Sequence, residues 1–302
     1  MATETFRCAV AAEERSEPLF GTASHVWNWM LLEQPGSWGS DALMESRLPK
    51  DFAAQLRAKA RAAGVRVVLI RRGVRLASDK RQCYFAQTTQ TMSRLSHLSV
   101  ENLDELLELD LASLKRGDLI DGAAERTEKL FLVCTHGRHD ACCSIRGNQV
   151  SRIACALPGI DAWECSHIGG DRFAANMVCF PDGVYFGRVV PEEVEALTHT
   201  YLDGRISLVH YRGRSCYPFA LQAAECFARR ETGLLGLTDI TLLDTRSSDD
   251  GLSATFSLVD GRAVEVAVRI GSGIPQRLTC DSSSERPMPT YELISCTARA
   301  AP

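Results

Sequence analysis

The chain has 302 residues, 45% hydrophobic and 24% charged, the balance of an ordinary globular protein. Its formal net charge of −4 offers no basic field for nucleic acid or an anionic membrane. No stretch approaches the ~18 apolar residues of a membrane-spanning helix, and the opening "MATETFRCAVAAEERSEP" lacks the apolar centre of a secretory signal, so a cytoplasmic location is expected. Twelve cysteines make up about 4% of the chain, below the ~8–10% of disulfide scaffolds. A reducing compartment would keep most of them as thiols, many simply as small buried apolar side chains.

In chain order, "SHVWNWMLLEQ" (24–34) reads as a buried strand and "QPGSWGSD" (34–41) as a loop. Over 51–64, Phe52, Leu56, Ala60 and Ala63 share a helical face and Gly64 is placed to stop the helix. Strands are predicted at 65–72 and near 82–88 and 92–98, then a helix at 101–110. A polar passage, 115–129, reads as a connection. The order then recurs: strand 129–134, helix 143–157, strand 161–166, two strands over 175–189 around a Pro-Asp-Gly turn, and helix 191–204. Both halves thus read β-α-β-β-β-α, the order of a thioredoxin-like unit. An α/β (α+β) protein with two tandem units is expected. A helix at 216–230 and a β-meander ("ITLLDT", "LSATFSLV", "AVEVAVRI") follow as an appendage, and the final "TARAAP" (297–302) is expected to fray. The predicted divisions are a degenerate unit at 1–125, a second unit at 126–204 and the appendage at 205–302.

The chemistry concentrates in two stretches. "CTHGRHDACC" (134–143) places Cys134 at the end of a strand and Cys142 and Cys143 in the first turn of the next helix, where the helix dipole favours thiolate. "WECSHIGGDRFAAN" (163–176) begins where the next strand ends. In a parallel-stranded unit both emerge at one sheet edge, where α/β proteins build sites. Three chemistries compete. A redox dithiol wants C-x-x-C, and that spacing is absent. Structural zinc usually shows two close-spaced ligand pairs, and only loose variants occur. An iron–sulfur cluster suits a thiolate-rich loop edge.

Together with "EPLFGTASHVWNWMLLEQPGSWG" (17–39) and "PDGVYFGR", these stretches resemble the sucrase/ferredoxin-like proteins, whose metal-binding unit is a thioredoxin-like [2Fe–2S] ferredoxin. The resemblance covers most of the chain and makes 126–204 the ferredoxin unit. It implies that Cys134 and Cys143, nine apart, are the two ligand cysteines. It also implies that His167 is the first histidine of an H-x-G-G-H ligand motif, whose second histidine is replaced here by Asp171. Cys165, two residues before His167, is the substitute, so the expected ligand set is Cys134, Cys143, Cys165 and His167, with Asp171 and Cys142 as alternatives. The implied function is electron transfer through one [2Fe–2S] cluster, without independent catalysis, to or from a redox partner protein. A histidine ligand would raise the potential and make it pH-dependent. Sucrase chemistry is not supported, because glycosidases need two carboxylates flanking one bond and no such pair stands out. The competing readings are a cysteine-dependent redox enzyme or thiol sensor using Cys142 or Cys143, and a zinc-stabilised interaction module.

Among the neighbours, His136 is expected to orient the first loop and Arg172 to pair with Asp171. Trp163 is expected to shield the site, and Trp27, Trp29 and Trp38 to pack. Cys155 and Cys179 are expected in the core, and Cys8, Cys83, Cys216, Cys226, Cys280 and Cys296 in structural roles.

Overall fold

In the computed structural model, which describes residues 5–72 and 80–299, a short helix, α1 (Cys8–Glu14), leads into β1 (Asn28–Glu33). Alternate residues of β1 serve two cores, as the two-residue strand period requires: Trp29 and Leu31 face one, Met30 and Leu32 the other. α2 (Lys50–Ala63) closes the second core with Phe52, Leu56 and Ala60 and ends at Gly64, in the left-handed conformation that commonly terminates helices. β2 (Val65–Arg71) runs parallel to β1, β3 (Arg81–Thr88) pairs antiparallel on its other side, and β4 (Ser93–Val100) follows β3. Of the predicted 101–110 helix only a single turn forms, α3 (Glu105–Glu108), and another single turn, α4 (Ser113–Arg116), follows beyond it. Glu101 and Asp104 stand four residues before Glu105 and Glu108, and like charges at that spacing oppose a continuous helix. Within the passage read as a connection, β5 (Ala124–Arg126) pairs with β4.

The second half repeats the arrangement with β6 (Leu130–Cys134), α5 (Ala141–Ala154), β7 (Asp161–Cys165), β8 (Met177–Phe180), β9 (Val184–Phe186) and α6 (Val194–Leu202). β10 (Tyr211–Arg214) extends this half beyond β9, and α7 (Phe219–Thr232) follows. The large sheet runs β10-β9-β8-β6-β7-β2-β1-β3-β4-β5. Its two halves have one plan: a central strand, β1 or β6, with a parallel partner on one side and an antiparallel pair on the other. That is the strand order a thioredoxin-like β-α-β-β-β-α unit requires. The halves join through antiparallel pairing of β2 with β7, where Ile70 faces Cys165.

This sheet folds over on itself. Trp29 on β1 and Phe180 on β8 lie four strands apart in its order, roughly 19 Å if it were flat at ~4.8 Å per strand, yet their rings are 5.3 Å apart. The enclosed core holds Leu31, Leu132, Trp163 and Tyr185 from both halves, together with Cys134, Cys143 and Cys165. The final sheet comprises β11 (Ile240–Ser248), β12 (Gly251–Leu258), β13 (Ala263–Ser272) and β14 (Pro289–Arg299). It lays Ala254, Phe256, Val266 and Val268 into the core that also holds Leu221, Ala224 and Ala228 of α7. Contrary to the expectation of fraying, 297–299 are strand, and 300–302 lie outside the described residues. Among the described residues no helix is long and apolar enough to cross a membrane.

Candidate metal centre

β6 and β7 run parallel with Cys134 directly beside Cys165, so the loops that follow them leave from one edge. After β6, the Asp140 carboxylate accepts from the Cys142 backbone N–H at 2.8 Å and caps α5. Cys143 therefore falls in the first turn. One turn on, Gly147 lies so close to β6 that a Cβ there would stand 2.0 Å from the Cys134 carbonyl oxygen. That contact between backbones brings Cys143 against Cys134. After β7, Gly169 and Gly170 turn the loop with φ of 102° and 82°, values that side-chain-bearing residues rarely adopt. The fully buried Arg212 of β10 holds this loop, donating to the Gly169 carbonyl at 2.9 Å and to Asn176 Oδ1 at 2.8 Å.

The sulfurs of Cys134 and Cys143 and one ring nitrogen of His167 lie within 4.8 Å of one another. Both thiols are 1% exposed. Asp171 completes the group: Cys143 Sγ donates to its Oδ1 at 3.1 Å, His167 Nδ1 lies 2.9 Å from the same oxygen, and His139 Nε2 is 3.6 Å from Oδ2. The rings of His139 and His167 are 3.7 Å apart and His136 stacks on His139. His136 donates from Nε2 to the Gly39 carbonyl at 2.6 Å and accepts the His167 backbone N–H on Nδ1 at 3.2 Å. It thus ties the second loop to the first half of the chain and orients both loops.

The electrostatics favour one thiolate at the centre. Hydrogen bonding from Cys143, then from Cys165, holds the Cys134 thiol well below its ordinary range. Bonding to Cys134, then burial, pushes Cys143 up, and burial foremost pushes Cys165 up. Burial disfavours a charged His167 ring, but the Asp171 carboxylate and Cys134 outweigh it and raise the group to about 9. Burial likewise opposes ionised Asp171, and His167 beside it brings the carboxyl below its ordinary value. Thiolates, an imidazole and a carboxylate gathered in this way form a donor set for a metal.

Of the expected ligands, the structure gathers Cys134, Cys143 and His167. Cys165 is fully buried at the seam with β2 and stands outside the group of donor atoms within 4.8 Å. Arg172 pairs with Glu17 at 2.7 Å instead of with Asp171. Trp163 faces the enclosed core two residues before Cys165, its indole donating to Asp161 at 3.0 Å, while Trp38 packs edge-on against His136. Cys155 is exposed and not in the core. Sequence reading missed Asp140, Gly147 and Arg212. The Asp before a helix and the Gly inside one were available signals, whereas nothing local marks an arginine that acts from another strand.

Residues 19–213 match the family described as sucrase/ferredoxin-like, a span that takes in both halves of the large sheet and all of the loops above. The chain belongs to the sucrase/ferredoxin-like family. Among curated proteins, this family member is similar to "Altered inheritance of mitochondria protein 32" of Meyerozyma guilliermondii, 33% identical over 98 residues, 29% of this chain and 35% of that protein. The protein of the same name from Debaryomyces hansenii is 34% identical over 95 residues, 28% and 35% of the two chains. The match therefore spans about a third of the length of these relatives. Among solved structures, two cysteine-to-serine variants of the thioredoxin-like [2Fe–2S] ferredoxin from Aquifex aeolicus are 21% identical and cover 25% of this chain and 88% of theirs. The TM-score is 0.22, an overlap too partial to argue from.

Proposed function

We propose that this protein is a one-electron carrier whose [2Fe–2S] cluster is held by Cys134, Cys143 and His167, with Asp171 as the fourth donor. The observation that carries the reading is the convergence of two buried thiols and an imidazole nitrogen within 4.8 Å, with a carboxylate touching two of the three. Cysteine with partial histidine ligation is an established donor set for [2Fe–2S] centres. His167 Nδ1 lies 2.9 Å from Asp171 Oδ1, so the imidazole and the carboxylate face the same gap beside the two thiols. Cys165, paired beside Cys134 across β6 and β7, fits the role of a neighbouring group that tunes a centre without binding it.

When bound, the cluster supplies a site that takes up and releases one electron. The protein's residues determine access to it. Cys134 and Cys143 face the enclosed core and exclude water there. The side chains of His139 and His167 are 36% and 26% exposed, so the histidine edge is where a redox partner protein would dock. His136 fixes the backbone of His167, and the Arg212 guanidinium lies close enough to Cys143 and Asp171 to feel their charge, which offsets negative charge at the buried side. A chain rich in free thiols suits a reducing compartment such as the cytoplasm.

The test is electron–nuclear resonance on the reduced, anaerobically handled protein, which reads nitrogen coupling from a coordinated imidazole. The coupling is expected in the wild type, lost in His167→Cys and retained in His139→Ala. Its absence from the wild type would overturn histidine ligation. Cluster loss in Cys165→Ser, with the cluster kept in Asp171→Ala, would move the fourth ligand to Cys165.

A further inference from the structure

Cys142 and Cys143 are neighbours in sequence but belong to two different clusters. Cys143 joins the site described above. Cys142 points to the other side of the same turn, where its sulfur meets Cys8 of α1, Asp140 at the α5 cap and Cys280 from the connection between β13 and β14. All four are buried, and their donor atoms lie within 4.8 Å of one another.

We propose that Cys8, Asp140, Cys142 and Cys280 form a structural zinc site, separate from the iron site. The distances are those of a contracted tetrahedron. With Zn–S near 2.3 Å and Zn–O near 2.0 Å, ideal coordination places sulfurs about 3.8 Å apart and sulfur and oxygen about 3.5 Å apart. Cys142 Sγ is 3.4 Å from Cys280 Sγ, Cys280 Sγ is 3.6 Å from Cys8 Sγ, and Cys8 Sγ is 3.5 Å from Asp140 Oδ2. The set closes at four protein ligands, the pattern of structural rather than catalytic zinc.

The surroundings support the ligands in the manner of a metal site. Asp140 Oδ1 accepts from the Cys142 N–H at 2.8 Å and Oδ2 from the Cys280 N–H at 2.6 Å. Both oxygens are thereby oriented while each keeps a lone pair. Arg146, pulled by the charge on Cys142 and Cys8, stands nearby with Glu13 as its own partner, and Arg277 binds the Cys280 carbonyl at 2.7 Å.

A disulfide between Cys142 and Cys280 is the competing chemistry. It would leave outside the bond the Cys8 thiol and the Asp140 carboxylate, which two backbone N–H groups orient toward the group. A divalent cation instead reconciles four electron-rich groups and releases the thiol protons to solvent. Zinc here would tie together segments 272 residues apart.

The test uses the full chain, prepared under phosphine reductant without chelator. Metal analysis should find about one zinc per chain in addition to iron, and cobalt should replace it with strong thiolate-to-metal and tetrahedral absorption. Cys8→Ala and Cys280→Ala should each lose the zinc and keep the iron–sulfide absorption, while Cys134→Ser should lose iron and keep zinc. The wild-type cobalt spectrum stands by itself should a variant not fold. Wild-type protein that takes up neither zinc nor cobalt, a metal-free Cys142–Cys280 disulfide in mass spectrometry, or loss of iron in Cys280→Ala would overturn the assignment.

Discussion

Gly147→Ala tests whether the contact of α5 with β6 sets the distance between Cys134 and Cys143. The added Cβ would stand 2.0 Å from the Cys134 carbonyl oxygen, and ordinary contact begins at 3.4 Å. The obstacle is backbone, so no rotamer relieves it, and α5 must move away by about 1.4 Å. Overpacking of this kind costs roughly 1–3 kcal/mol, with backbone clashes at the upper end. Replacing a mid-helix Gly by Ala returns about 1 kcal/mol. The net is a loss of about 2 kcal/mol, and at roughly 2–4 °C per kcal/mol the Tm should fall by about 4–8 °C. Because the movement separates Cys143 from Cys134, iron content should fall as well. Calorimetry with iron analysis reads both quantities, and Gln149→Ala, on the exposed face of α5, should stay within about 0.5 kcal/mol. An unchanged Tm together with a full iron complement in Gly147→Ala would refute the reasoning.

Other perturbations should be equally specific. Buried Glu225 accepts from Tyr211 at 2.6 Å and pairs with Arg214 at 3.0 Å and Arg229 at 2.8 Å, so Glu225→Gln, which strands two buried guanidinium groups, should cost about 3–5 kcal/mol in denaturant titration. Burial alone would raise the Glu225 carboxyl, but Arg214 and Arg229 hold it below its ordinary value. Its contribution is therefore present above about pH 4.3 and lost as pH falls through the lower folded value, and the acid side of the stability profile should be flatter in Glu225→Gln. Arg212→Met, which leaves the Gly169 carbonyl and Asn176 Oδ1 without their donor, should cost about 3 kcal/mol and reduce iron retention. An iron content equal to wild type would show that the second loop does not depend on Arg212.

Much of the site was legible because its logic is local. The apolar run ending at Cys134 and the strand ending at Cys165 had to be parallel if a helix lay between them, and parallel strands put both loops at one edge. What places Asp171 beside Cys143 and His167, and Cys165 apart from them, is not local. Whether Cys165 or Asp171 faces the gap depends on the direction of each side chain after β7, and the antiparallel junction with β2 keeps Cys165 at a strand-to-strand seam. The zinc cluster was illegible for a stronger reason. Cys8 and Cys280 lie in a short helix and an irregular connection, and only the folded chain brings them to Cys142. The continuous helix expected at 101–110 fails against acidic residues repeated at four-residue spacing, and β14 forms where the end of the chain was expected to fray.

The protein's function turns on what the Cys134–Cys143–His167 group holds. Iron and acid-labile sulfide, measured on wild-type protein purified without oxygen and read beside its visible spectrum, address this most directly. About two iron and two sulfide per chain in a reddish-brown protein, both lost in Cys134→Ser, are the predicted result. A colourless protein without sulfide, its Cys134 and Cys143 thiols free to react, would contradict it.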